Sequence, residues 1–162
     1  MLKDGMSKAK PGEWERAQQF DASISAGAKI PTLAELDAHA PDNPFFLQES
    51  NDHIAYANSA AFKAAGINRD VTNPAGARFV RSSDGALTGR LEEMAAQQEF
   101  LGAMPSPSGE DMVDRVQRFL KQASSVGCTK LHDCGIRMMA GAQELQILDA
   151  DFADGQSPER YR

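Results

Sequence analysis

Two short polar clusters hold the residue types from which proton transfer or substrate binding is built: His132-Asp133 and Asn51-Asp52-His53. His132-Asp133 closes the run Cys128-Thr129-Lys130-Leu131, which follows a helix stop at Gly127 and reads as a short buried strand. Side chains alternate along a strand, so these two neighbours point to opposite faces and only one can face a central pocket. The competing role for the pair is structural, with His132 a satisfied core histidine and Asp133 the cap of the next turn. The second cluster follows Phe45-Phe46-Leu47-Gln48-Glu49-Ser50, a predicted buried strand. A loop there can present His53 as a hydrogen-bond donor or acid, with Asn58 as helix cap or substrate contact. A purely local turn has the same spacing. His39, the remaining histidine, follows a capped helix and is expected on the solvated surface.

The absent patterns narrow the chemistry. No His-x-His, His-Glu-x-x-His or Cys-x-x-Cys occurs, so no pair has metal-ligand spacing. A metal site made by this chain alone needs His53, His132 and a carboxylate to converge through folding. Gly-x-Ser-x-Gly, the P-loop and Gly-x-Gly-x-x-Gly are absent too. Cys134 has only His132 nearby to lower a thiol pKa, which suits a bystander thiol better than a nucleophile. Cys128 and Cys134 lie at opposite ends of the predicted strand, roughly 20 Å of extended chain, far beyond disulfide reach. Two free thiols fit a reducing compartment, and a cytoplasmic location is expected. A net charge of −6 without a Lys/Arg cluster argues against nucleic acid. Nothing approaches the ~18 consecutive apolar residues of a membrane span, and residues 1–10 lack the apolar stretch of a secretory signal.

The elements that must position these groups are legible in part. Residues 1–30 are polar, with Trp14, Phe20 and Ile24 as anchors, and predict a weakly ordered arm. Thr32 with Glu35 matches a capping box, Leu33 and Leu36 give the short helix its apolar side, and Pro41 and Pro44 bracket its exit. Asn58-Ser59 starts an alanine-rich helix closed by Gly66. Arg78–Arg81 and Ala86–Thr88 flank Asp84-Gly85, a hairpin signal. A helix is predicted from about Leu91 to Leu101. Ser108 caps the strongest helix, whose stripe comprises Met112, Val113, Val116, Phe119, Leu120 and Ala123. A last helix is predicted over Ala142 to Phe152, and Gly155 to Arg162 as a linker. Helix, strand, helix is the order of a parallel α/β sheet, where reactive residues gather at the C-terminal ends of strands.

Several stretches together resemble amidohydrolase family 3, the metal-dependent amidohydrolases that include N-substituted formamide deformylase-like enzymes. They are Pro11-Gly12-Glu13-Trp14, Pro31 to Asp37, Pro41-Asp42-Asn43-Pro44 leading into Asp52-His53, and Asn58-Ser59-Ala60-Ala61-Phe62 with Ala65-Gly66-Ile67. Asp84-Gly85 followed by Thr88-Gly89-Arg90-Leu91-Glu92-Glu93 resembles the family's Gly-x-Leu-x-Glu motif. Gly127 to Gly135 resembles its Gly-Val-Thr-Ser-Val-His-Asp-x-Gly strand. Where members show Asp-Gly-His, this chain has Asn51-Asp52-His53.

The resemblance implies an α/β protein: a partial (β/α)8-barrel unit over residues 105–162 and an α+β insertion, or cap, over 1–104, together a fragment of a larger fold. The family's His-x-His and later metal ligands are missing, so no metal ligand is assigned here. The parent would use zinc or another divalent ion on a small-molecule substrate with a C–N amide-type bond. His53, Asn58, His132 and Asp133 are the substrate-binding candidates, and the fragment alone is expected to be inactive. Its exposed strand edge predicts self-association. Two other functions fit less of the pattern: a stand-alone binding module, and a small hydrolase using His53 and His132 with Asp52 or Asp133.

Overall fold

The structure is a computed structural model that describes residues 9–24, 29–106, 108–131 and 160–161. Its backbone contacts divide the chain into two units, Met1–Pro105 and Ser106–Arg162.

Among the described residues, the first unit holds a five-stranded mixed sheet and three helices. Its strands are β1 (Glu15–Phe20), β2 (Phe45–Glu49), β3 (Ile54–Ala57), β4 (Arg78–Arg81) and β5 (Leu87–Glu92), in the spatial order β1-β2-β3-β5-β4. β1 runs parallel to β2, and every other neighbouring pair is antiparallel. Its helices are α1 (Leu33–His39), α2 (Ser59–Ala64) and α3 (Met94–Ala103).

The apolar run Phe45-Phe46-Leu47 forms a central strand because both of its faces are covered. Strand alternation then sorts its side chains. Phe46 joins Ala55, Ala57, Phe79 and Leu91, and packs with Phe62 of α2 and Ala96 and Phe100 of α3. Phe45 and Leu47 join Tyr56, Leu36 of α1 and Ala40 on the other side. Full burial of each such side chain contributes about 1.5–3 kcal/mol, so this strand anchors the unit. Gly89 is closely approached by its neighbour: at φ +89°, a Cβ there would meet the Ala57 carbonyl at 2.9 Å.

Two expectations about this unit are corrected, and one strand is added. The residues expected to form a loose arm contain β1, which is stitched to β2 by the pairing of Glu15 with Phe45 and Phe20 with Glu49. Ile54–Ala57, left unassigned from the sequence, is a strand whose register places Ala55 against both Gln48 and Leu91. Residues 91 and 92 belong to β5 instead of the following helix. Leu91 is fully buried between Ala55 and Phe79, and α3 begins at Met94. The Asp84-Gly85 hairpin is present, closed by the Ser82 amide donating to the Ala86 carbonyl at 2.9 Å.

In the second unit, Ser108 and Asp111 form a capping box at the start of α4 (Gly109–Ser125). Leu120 of the predicted stripe is buried, but Phe119 is 57% exposed. Gly127, at φ +87°, turns the chain out of the helix. β6 (Lys130–Leu131) follows and pairs in parallel with β7 (Arg160–Tyr161). Residues 160 and 161 were expected in a linker, whereas they pair as a strand. The predicted helix over 142–152 lies outside the described residues.

Candidate functional site

The turn that carries His53 is built by local hydrogen bonds and then locked from the interior. The Asp52 amide donates to the Glu49 carbonyl at 3.1 Å, and the His53 amide to Asn51 Oδ1 at 2.8 Å. Asp52 itself sits at φ +60°, a left-handed conformation that aspartate tolerates better than most residues. Beneath it, Gln97 Nε2 donates to the Asp52 carbonyl at 2.8 Å, and Gln97 Oε1 accepts from Gln48 Nε2 at 3.0 Å. Gln97 is fully buried and Gln48 nearly so. Both amides are satisfied, as buried polar groups must be.

Glu93 stands beside this turn at the junction of β5 and α3. Its amide donates to the His53 carbonyl at 2.7 Å, one step beyond the β3–β5 ladder. Glu93 occupies φ +68°, ψ 156°, a region used almost exclusively by glycine. Although it is the N-cap residue of α3, its side chain does not cap the helix. It reaches His53 Nδ1 instead, Oε2 lying 2.8 Å away. A carboxylate only accepts, so Nδ1 carries the hydrogen and Nε2 is left as acceptor in neutral imidazole or donor in imidazolium. The hydrogen bond to Glu93 raises the His53 pKa above its ordinary 6.5, and the charges of Glu93 and then Asp52 add to the effect.

The pair borders an open cavity of about 370 Å³, lined also by Ile54, Gly76, Ala77, Arg78 and Glu92. Arg78 Nε donates to Glu92 Oε2 at 2.8 Å, and Arg90 Nε lies 3.2 Å from Glu92 Oε1. The cavity wall therefore holds charged groups already paired with one another.

Asn58 is placed differently. It is fully buried, and its Oδ1 accepts from the Phe45 amide at 2.9 Å and the Ala61 amide at 2.8 Å. Its Nδ2 donates to the Ala40 and Asn43 carbonyls, both at 2.9 Å. Two donors and two acceptor positions are all used, so the carboxamide caps α2 and ties the loop after α1 to β2. His39 is half-buried rather than solvated. Its ring packs edge-on against Phe45 at 5.5 Å, because the end of α1 lies over that strand. His132, Asp133 and Cys134 lie outside the described residues, and Cys128 is a free, exposed thiol. Glu93 and Gln97 were not singled out as site residues from sequence. The one available signal was the Gly-x-Leu-x-Glu resemblance, which contains Glu93 but not the geometry it adopts.

Among the described residues, no three His, Cys, Asp or Glu side chains are grouped to hold a metal ion. They do not fit the metal that the family resemblance implies. No described helix is long and apolar enough to cross a membrane.

An N-substituted formamide deformylase of Arthrobacter pascens is 43% identical over 86 residues, covering 53% of this chain and 16% of that protein. The exoenzymes regulatory protein AepA of Pectobacterium carotovorum is 30% identical over 124 residues, covering 74% of this chain and 26% of its own length. The chain thus spans about a quarter or less of these curated relatives. Among solved structures, an uncharacterized metal-dependent hydrolase from Pyrococcus furiosus superposes over 99% of this chain and 30% of its own, with TM-score 0.53 and 16% identity. That likeness concerns the fold. The model of the amidohydrolase family matches residues 1–159, and the chain belongs to that family.

Proposed function

We propose that this chain is part of a metal-dependent amidohydrolase that hydrolyses a C–N bond of amide type. The observation that carries this is the family match over residues 1–159, and the formamide deformylase relative supports the choice of bond. In this proposal residues 1–104 form a cap beside the substrate and residues 105–162 supply one β/α unit of a barrel. The parallel β6–β7 pair suits that role, since barrel strands are parallel. His53 would contact the substrate from the cap, and His132 or Asp133 would stand at the catalytic face of the barrel. Asn58 would act through the fold, because its hydrogen-bonding capacity is spent on the backbone.

The ion, zinc or another divalent metal, would be held by residues beyond those described here. The chain alone is then expected to be inactive and to self-associate through exposed strand edges in a reducing compartment such as the cytoplasm, with neither nucleic acid nor membrane as partner. The test is to express the longest open reading frame containing these 162 residues, beside the 162-residue chain. Release of amine from N-substituted formamides by the longer protein, abolished by chelation and restored by zinc, is the expected result. Stoichiometric metal with turnover in the short chain, or no amide hydrolysis by the longer one across a panel of amides, would refute it. Light scattering of the short chain showing a monomer would remove the self-association.

A further inference from the structure

Resting on the reading of His53 as a substrate contact, we propose that Glu93 is its positioning residue, and that together they select a neutral ligand with a carbonyl acceptor. Three observations converge on Glu93. Its backbone lies in a region that glycine occupies freely and side chains rarely enter. Glycine would relieve that conformation, yet the position carries a carboxylate. That carboxylate makes no hydrogen bond to the amides of its own helix, although it stands at the N-cap, where side-chain acceptors normally stabilise the helix. Instead it holds His53 Nδ1 at 2.8 Å while its own amide holds the His53 carbonyl at 2.7 Å. One residue thus fixes both the backbone and the ring of the histidine, and Nε2 becomes the ring atom left for a ligand at the cavity.

The selection follows from charge. The titratable groups bordering the cavity are His53, Arg78, Glu92 and Glu93, with Asp52 beside His53 and Arg90 on Glu92. With His53 protonated, the four lining groups sum to zero. With it neutral, they carry one negative charge. An added anion therefore meets two carboxylates whose cations are already engaged, and gains nothing over water. A neutral carbonyl accepts from Nε2–H in the imidazolium state, the state that the Glu93 carboxylate on Nδ1 favours, without adding charge.

The test uses the 162-residue chain, its Glu93→Gln and Glu93→Gly variants, and NMR of the His53 ring. N-Methylformamide and acetate serve as the neutral and anionic probes, and melting temperature is recorded alongside. In the unsubstituted chain His53 is expected to titrate above its ordinary value, and both variants should bring it down. N-Methylformamide should shift the ring resonances saturably, with affinity reduced roughly two- to five-fold in both variants, as loss of an exposed charge-assisted contact implies. Acetate should bind more weakly than the amide. Glu93→Gly should melt higher than Glu93→Gln, since only glycine removes the backbone cost. Identical His53 titration in all three proteins, tighter binding of acetate, or unaltered probe binding in Glu93→Gly would overturn the proposal. Those failures leave amide hydrolysis by the longer protein untouched. Conversely, an intact His53–Glu93 pair in a longer protein that hydrolyses no amide would count against the family-level function alone.

Discussion

Gln48 and Gln97 meet in the interior of the first unit, Nε2 of Gln48 donating to Oε1 of Gln97 at 3.0 Å. Gln48 belongs to the central strand and Gln97 to α3, so the bond ties sheet to helix. It also extends outward in both directions. Gln48 Oε1 accepts from Arg16 at 3.0 Å and Gln18 at 3.2 Å on β1, and Gln97 Nε2 supports the Asp52 carbonyl. The edge strand and the His53 turn are thereby coupled through two buried amides. Gln97→Leu strands both the Asp52 carbonyl and the Gln48 amide, and a buried polar group left unpaired costs about 1–3 kcal/mol. The expected loss is about 2 kcal/mol in urea unfolding, with faster hydrogen exchange at the His53 amide. Unchanged exchange there would show that the turn does not depend on the interior.

Asn58 makes a stronger demand, because four backbone groups converge on one carboxamide. Asn58→Ala removes the cap of α2 and orphans the Ala40 and Asn43 carbonyls and the Phe45 amide. A cap alone is worth about 1 kcal/mol, and buried unpaired backbone groups add to it. The expected destabilisation is about 3 kcal/mol or more. Asn58→Asp keeps the acceptor bonds but turns a carboxylate toward two carbonyl oxygens, so it should fare no better. An aspartate variant as stable as the unsubstituted chain would disprove the donor half of this account.

Gly89 offers a test that involves no polar group. Its φ of +89° disfavours any side chain, and an added Cβ would lie 2.9 Å from the Ala57 carbonyl of the neighbouring strand. The atom it meets is backbone held in a ladder, so the strain cannot be shed by a rotamer change. Gly89→Ala should cost about 3 kcal/mol, read as a lowered denaturant midpoint. The separation of β3 from β5 should appear as weakened protection of the Arg90 and Tyr56 amides.

What the sequence revealed divides by the range of the interactions concerned. The Thr32–Glu35 box, the Ser108 cap, the Asn58 cap and the Asp84-Gly85 turn are settled within a few residues, and each forms as its spacing implies. β1 was invisible because Glu15-Arg16-Ala17-Gln18-Gln19-Phe20 has little apolar signal of its own. It is a strand because Phe45–Glu49, thirty positions onward, offers it a ladder. Ile54–Ala57 is too short for its alternation to stand out from the turn before it. His53 stood out as a candidate by residue type and by its place after a strand. Its partner Glu93 is forty positions away, and a strained φ leaves no mark on a residue that is not glycine.

The capping box of α1 makes a prediction about acid stability whose sign follows from the direction of one pKa. Lys29 and then Thr32 hold the Glu35 carboxylate down to about 2, from an ordinary 4.5. The Thr32 amide donates to Oε2 at 2.9 Å, and Lys29 pairs with Oε1. A carboxylate depressed on folding stabilises the native state above its unfolded pKa, and that stabilisation is lost as pH falls through the folded value. The window here runs from about 4.5 down to about 2. The stability difference between the unsubstituted chain and Glu35→Gln should therefore be constant near neutrality, shrink below pH 4.5 and vanish near pH 2. Because Glu35 is exposed, added salt should reduce the Lys29 share while leaving the Thr32 share. A difference that persists unchanged through that window would mean the glutamate caps α1 equally well when protonated, and the charge would then play no part in starting the helix.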